Sequence, residues 1–167
     1  GGSPVAPEMV IETFYRSLTE SNADAAFACT TGDSLSRAFV DSQVRLNLAF
    51  ALMGKVALER FPEDGVKLQV PPPSLSVLNK IGEVPVTVSG ETATWPINPA
   101  APMQLVLVNG QWRMDLEHSF PSAEMLRQSS ATFDTIAGYI TDVANEVAAG
   151  KHATVASVQQ EIKRRGK

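Results

Sequence analysis

The chain has little of the chemistry that would assign it to a metal-binding or disulfide-rich class. It contains one cysteine, Cys29, and two histidines, His118 and His152. A single cysteine excludes an internal disulfide, and the two separated histidines fit no common zinc-ligand spacing. There is also no glycine-rich phosphate loop and no Gly-x-Ser-x-Gly turn. We therefore expect neither a metal ion nor an organic cofactor.

The chain also lacks an excess of positive charge and a long apolar run. Its 167 residues carry a formal net charge of -4, and the only basic cluster is KRRGK at residues 163–167. An acidic chain without a basic stripe is not expected to bind nucleic acid. No apolar run reaches the roughly 18 residues of a membrane span. With 44% hydrophobic and 19% charged residues, the composition predicts one globular domain.

The opening GGSPVAPE has no initiating Met and is rich in small residues and proline. Such a segment is typical of a flexible lead-in, here residues 1–6, that remains after a targeting segment has been removed. This favours a periplasmic or secreted protein, with the cytoplasm as the alternative.

Apolar residues at helical spacing predict three helices in the first third of the chain. The first covers residues 7–20, and the second covers residues 23–29 behind an N-cap at Asn22. The third covers residues 35–61, with Asp33 or Ser34 as its cap. Its apolar positions, which include Leu48, occupy most of its circumference, so we expect it to be buried on more than one face.

The centre of the chain predicts antiparallel hairpins. One turns near Ser89-Gly90, and in a two-residue register its Val84 and Val86 share a face with Ala93 and Trp95. The other turns at Asn109-Gly110, a dipeptide typical of a type I′ turn. That turn pairs Leu107 with Trp112, Leu105 with Met114, and Met103 with Leu116. Residues 66–70 are predicted to be extended, and residues 75–81 fit either a helical turn or a loop.

Helical spacing returns over residues 122–149, with Met125 in the apolar stripe and Gly150 as the stop. A last short helix carries Val155, Val158 and Ile162. Helices that precede hairpins in the sequence define a segregated α+β fold rather than an alternating one.

Three segments, MVIETFYRSLTESNADAAFA, GETATWPI and LVLVNGQWRMDLE, together resemble the NTF2-like superfamily. The resemblance spans roughly residues 7–118. It implies N-terminal helices packed on a curved antiparallel sheet that forms a cone around an apolar pocket. It also implies an NTF2-like domain at 7–120, followed by an extra helical extension at 121–167. The family usually has more strands, which residues 66–70 and 75–81 would have to supply.

Ketosteroid isomerases of this superfamily use a tyrosine on the first helix as a hydrogen-bond donor. The resemblance places Phe14 at that position and Tyr15 one residue later, and a phenylalanine cannot donate. Asp115 and His118 are the other catalytic candidates, because a carboxylate and an imidazole can act as an acid–base pair. Strand alternation, however, predicts that they lie on opposite faces, and that Arg113 pairs with Asp115 at the surface. Cys29 has no neighbouring base in sequence and is expected to be a buried thiol.

Two functions follow as hypotheses. The first is a non-catalytic module that binds a small apolar ligand or a partner protein, with Phe14, Tyr15, Trp95 and Trp112 lining the site. The second is a small isomerase, cyclase or dehydratase that uses Tyr15, Asp115 or His118. A third possibility is purely structural, a domain that only forms a homodimer, for which Val106 and Val108 on the outer sheet face are suited.

Overall fold

The structure is a computed structural model that describes residues 4–167, so residues 1–3 of the expected lead-in lie outside the described part. Within that part, six helices and one four-stranded sheet occur in a segregated α+β order. The helices are α1 (Pro7–Thr19), α2 (Ala23–Ala28), α3 (Ser34–Arg60), α4 (Pro73–Leu78), α5 (Ala123–Ala148) and α6 (Val155–Arg165). The strands are β1 (Thr87–Ser89), β2 (Thr92–Trp95), β3 (Met103–Val108) and β4 (Gln111–Met114). Short 3-10 turns cover Gly65–Leu68 and Glu117–Ser119.

The three predicted N-terminal helices are confirmed, and side-chain caps set where α2 and α3 begin. Asn22 Oδ1 accepts a hydrogen bond from the Ala25 N–H at 3.1 Å, and Asp33 Oδ1 accepts one from the Ser36 N–H at 2.8 Å. Each cap satisfies a backbone donor that has no partner within the first helical turn. The fixed start of α2 determines where its last residues, Ala28 and Cys29, reach the sheet.

The sheet is antiparallel and open, with the order β1-β2-β3-β4. Asn109 and Gly110 have φ values of 50° and 77°, as a type I′ turn requires, and the pairs Leu107–Trp112 and Leu105–Met114 are confirmed. The predicted pairing of Met103 with Leu116 is wrong. β4 ends at Met114, and Leu116 has helical torsions because it begins the turn at Glu117–Ser119.

The first hairpin has the two-residue register that was predicted, but its first strand is shorter than expected. β1 pairs Val88 with Ala93, and Val84 and Val86 precede the strand. Pro85 lacks a backbone donor and so interrupts a ladder at this point. Val84 still contacts the second strand, because its carbonyl accepts a hydrogen bond from Trp95 Nε1 at 2.9 Å.

The two segments expected to add strands do not do so. Residues 65–68 form a 3-10 turn, so the extended prediction for 66–70 is wrong over most of its length, and α4 occupies most of 75–81. Pro73 is the first residue of α4, where its missing N–H removes no hydrogen bond. Leu68 turns inward and is buried, whereas Val66 is exposed.

Two buried clusters share α3. One lies between the sheet, α1, α2 and the N-terminal half of α3, and includes Ile11, Phe14, Trp95, Leu105 and Met114. The other lies between the C-terminal half of α3, α5, α6 and the Gly65–Leu68 turn. The prediction that α3 is buried on more than one face is confirmed. Two details of the predicted stripes are wrong: Leu48 is exposed, and in α5 the buried residue is Leu126 rather than Met125.

Of the helices after residue 121, α5 contributes Leu126 to the first cluster, while most of its buried residues belong to the second. α5 packs along α3, and α6 packs against α5 and the Gly65–Leu68 turn. Of the helices in residues 4–167, none has the length and apolar character needed to cross a membrane.

Candidate functional site

The candidate site is a hollow of about 250 Å³ at the outer edge of β4. Its walls come from the start of α1, the end of α2 and the first residues of β4. The lining residues are Val5, Met9, Val10, Thr13, Ala28, Cys29, Gln111, Trp112 and Arg113. Apolar side chains therefore dominate the walls, while Arg113 supplies a charge.

Backbone hydrogen bonds hold the end of α2 against β4. The Met114 N–H donates to the Cys29 carbonyl at 2.7 Å, and the Thr31 N–H donates to the Met114 carbonyl at 3.1 Å. The segment after α2 thus forms a short parallel bridge to the strand edge. This bridge covers the edge at Met114 and leaves it uncovered at Trp112, where the hollow lies.

The uncovered edge presents backbone groups as well as side chains. Leu107 and Trp112 face each other, and the Leu107 N–H donates to Glu91 on the far side of β3. Because alternate residues of an antiparallel strand direct their N–H and C=O groups to the same edge, those of Trp112 point outward like those of Met114. No backbone partner bonds them among residues 4–167.

Arg113 belongs to the outer face of the sheet, yet its guanidinium turns around the strand edge. Nη1 donates to the Ala28 carbonyl at 2.6 Å, and Nη2 donates to Gln111 Oε1 at 3.1 Å. The predicted ion pair between Arg113 and Asp115 is therefore wrong, because the carbonyl at the end of α2 offers Arg113 a nearer acceptor. None of the described residues that line the hollow has a carboxylate.

Cys29, which was expected to be buried, is a half-buried thiol at the inner wall of the hollow. Its Sγ donates to the Ala25 carbonyl at 3.5 Å. Burial raises the pKa of the Cys29 thiol, and the positive charge of Arg113 opposes that rise only in part. The thiol is consequently protonated at neutral pH and is a poor nucleophile.

Tyr15 lies away from the hollow, on the α1 face that meets β2. Its ring contacts Phe14 edge to face at a centroid distance of 5.0 Å and lies 6.2 Å from the ring of Trp95. Burial raises the pKa of the Tyr15 phenol far above its usual range. The hydroxyl is therefore protonated at neutral pH, where it can act as a neutral donor.

Asp115 and His118 come together, so the prediction that they lie on opposite sides is wrong. His118 Nδ1 lies 2.8 Å from Asp115 Oδ2. The strand ends before both residues, and the Glu117–Ser119 turn replaces alternation with a helical i,i+3 spacing. The imidazole side chain is 76% exposed, and neither residue lines any of five hollows compared on the surface of residues 4–167.

All four predicted ligand contacts belong to the first buried cluster, and Trp112 is itself only 7% exposed. Phe14 and Trp95 are fully buried in the core, Tyr15 packs beside them, and Trp112 alone lines the hollow. Met9, Thr13 and Arg113 were not predicted to line a site. One signal in the sequence could have pointed to the first of them, because Met9 and Val5 are apolar residues that lie off the core stripe of α1.

The hollow beside β4 differs from four others of similar or larger size. A groove of about 470 Å³ between α3 and α5, for example, has the Arg45–Asp134 ion pair at its rim. Only the hollow beside β4 combines an aromatic wall with an arginine that lacks a carboxylate partner among the described residues.

Comparisons with models of known protein families, with curated proteins and with solved structures find no match. Across residues 4–167, no group of three or more His, Cys, Asp or Glu side chains could hold a metal ion.

Proposed function

We propose that the chain is a non-catalytic module that binds a small apolar molecule in the hollow beside β4. The observation that carries this proposal is the lining, where Met9, Val10 and Trp112 form apolar walls around a volume of about 250 Å³. An apolar cavity of roughly 150 Å³ is large enough for a benzene molecule. Met9 is 58% exposed without a ligand, so a bound molecule would remove apolar surface from water.

We also propose that the fold is a reduced relative of the NTF2-like cone. Support comes from the order of the elements, with two N-terminal helices, a long third helix and then antiparallel hairpins. The hairpin that carries the Asn-Gly turn and Gln111-Trp112-Arg113 is the part of the chain that resembles the family most. In this proposal α1 packs against β4, and the hollow lies where these two elements separate.

The alternative function, a small isomerase, cyclase or dehydratase, has one favourable observation, the hydrogen bond between His118 and Asp115. It remains second because the His118 side chain is exposed to solvent and because Tyr15 contacts a different set of residues. General acid–base catalysis requires the pair to reach a bound substrate, and the pair lines none of the five hollows.

The binding proposal is tested by filling the hollow from an exposed position. Thr13 lines it from α1 and is exposed, so Thr13→Phe is expected to leave the fold intact while its ring occupies the ligand volume. Titration of the wild type with 2-phenylethanol, a neutral aromatic probe, should shift the Trp112 amide and indole signals in ¹H–¹⁵N spectra. The buried Trp95 indole signal should stay in place. In Thr13→Phe the apparent affinity for 2-phenylethanol, measured from the Trp112 shifts, should fall at least about tenfold. The probe cannot enter the volume that the phenylalanine ring fills.

Arg16→Phe is the matched control, since Arg16 lies on the same helix, is exposed, and does not line the hollow. It should bind the probe as the wild type does. Equal binding by Thr13→Phe and Arg16→Phe, or shifts centred on Trp95, would show that the hollow is not the binding site.

A further inference from the structure

The charge in the hollow narrows the class of ligand, an inference that rests on the proposed binding function. Most of the other arginines contact a carboxylate, as Arg45 does with Asp134 and Arg165 does with Glu146 and Glu161. Arg113 contacts only the Ala28 carbonyl and the Gln111 amide oxygen within residues 4–167. Its positive charge is hydrogen-bonded but not neutralised.

The guanidinium retains donors for a ligand. Arginine has five N–H groups in a planar fork, and the two contacts of Arg113 leave the remaining donors free among the described residues. The outward Trp112 N–H adds a backbone donor on the same strand. A carboxylate is the ligand group that such a planar set of donors fits best, because its two oxygens can accept parallel hydrogen bonds.

Among residues 4–167, no other group that lines the hollow competes for this charge. The lining residues include no Asp or Glu, and the Cys29 thiol is neutral at physiological pH for the reason given above. The whole chain is acidic, so attraction of an anion cannot come from its overall field and must come from a local cation.

The remaining walls determine what the carboxylate is attached to. Val10, Met9 and Trp112 offer apolar contact, and a volume of about 250 Å³ accepts one ring or a short branched chain in addition to the acid group. We propose that the hollow binds a small monocarboxylate with an aromatic or branched aliphatic body, whose carboxylate pairs with Arg113 and whose body packs on Trp112.

The test compares two probes of similar shape that differ in charge, phenylacetate and 2-phenylethanol. Both are titrated into the full chain by calorimetry at pH 7 and low salt. The wild type should bind phenylacetate at least about tenfold more tightly, because a hydrogen bond to a charged group is stronger than one to a neutral group. In Arg113→Gln the ratio of the two affinities, each measured on the same variant, should fall to about onefold.

Two further variants make the result specific. Arg113→Lys keeps the charge and should retain part of the preference for phenylacetate. It therefore tests the role of the charge if Arg113→Gln does not fold. Arg127→Gln removes an exposed arginine on α5 that pairs with Glu124 and should leave the preference intact. Thermal melting of each variant confirms folding before titration.

The outcomes separate the two proposals. Equal affinity of the wild type for both probes, or a preference that persists in Arg113→Gln, overturns the assignment of a carboxylate ligand and leaves the binding function standing. If the wild type binds neither probe, the binding function itself fails, and the carboxylate assignment fails with it.

Discussion

Gly65 is the residue at which the chain approaches its own backbone most closely. Its N–H donates to the Phe61 carbonyl at 2.7 Å, and a Cβ built at this position would lie 2.4 Å from the Ala57 carbonyl oxygen. Only a residue without a side chain allows the turn after α3 to fold back onto that helix. Gly138, within α5, has open space where its Cβ would be.

These two glycines form a matched pair for a stability test. Gly65→Ala should lower the free energy of unfolding by about 1–3 kcal/mol, because the clash is with backbone atoms that cannot swing aside. Gly138→Ala should raise it by about 0.5–1 kcal/mol, since alanine loses less backbone entropy in a helix. Urea denaturation of the wild type and both variants measures the two effects. A loss of stability in both, or in neither, would contradict the close approach at Gly65.

Single residues also show what could be predicted from the sequence. Asn22, Asp33 and Asn109-Gly110 act on backbone groups within three residues of themselves, so their roles were predictable and are confirmed. Arg113 acts on the carbonyl of Ala28, which is distant in sequence and near in space. No local sequence pattern predicts that contact. The opposite charge of Asp115, two residues away, led to the wrong pairing.

Elements are joined by charge as well as by apolar packing, most clearly at α5 and α6. Glu146 on α5 contacts His152 Nε2 at 3.0 Å and Arg165 Nη2 at 2.5 Å. Arg165 Nε also contacts Glu161 Oε1 at 2.6 Å. Hydrogen bonds from Arg164 and Arg165 lower the pKa of Glu161 from 4.5 to about 2, and hydrogen bonds from His152 and Arg165 lower that of Glu146.

This network predicts a dependence of stability on acid pH. A carboxyl group whose pKa is depressed by folding stabilises the folded state above its unfolded pKa, and that contribution is lost as the pH falls through its folded pKa. For Glu161 the loss should occur between about pH 4.5 and about pH 2. The melting temperature of Glu161→Gln should be lower than that of the wild type at pH 7, and the difference should shrink as the pH falls through this window. High salt should reduce the difference only in part, because the side chains of Arg165 and Glu161 are 23% and 19% exposed and so are incompletely screened.

Glu59→Gln is the control, because Glu59 is exposed near the end of α3 and makes no ion pair among the described residues. Its melting temperature should follow that of the wild type across the whole range. If Glu161→Gln also followed the wild type, the contacts of Glu161 with Arg164 and Arg165 within α6 would contribute nothing to stability.

At the same scale, the type of an element was predictable where the apolar spacing extended over several helical turns. It was not predictable in short segments. α3 and α5 span several turns, and their apolar spacing identifies them as helices. Residues 66–70 and 75–81 are too short for a period to be read. Their helical form depends on Pro73 at the start of α4 and on the burial of Leu68 against α3, neither of which alternation reveals.

At the scale of the whole molecule, the two buried clusters depend on each other through α3. The helices after residue 121 cover Leu46, Met53 and Val56 of α3, among others. If the chain were divided near residue 120, these apolar residues of α3 would face water.

Removal of these helices provides the last prediction. A chain that ends at Ser119 should be insoluble or largely unfolded, since it exposes the second apolar face of α3. A chain that ends at Ala149 lacks only α6 and should remain soluble with a lower melting temperature. Expression, size-exclusion chromatography and circular dichroism distinguish the two. A soluble chain ending at Ser119 with the full helical signal of residues 4–119 would show that the second cluster is dispensable.

The shared helix also restricts how the length of this protein can change. Val44, on one side of Arg45, belongs to the first cluster, and Leu46, on the other side, belongs to the second. Adding or deleting one residue at this point would rotate one half of α3 by about 100° against the other. Either the sheet or α5 would then meet the polar side of the helix. Relatives of this chain should consequently tolerate gaps in their loops but not at the midpoint of α3, where only the addition of nearly whole turns preserves both faces.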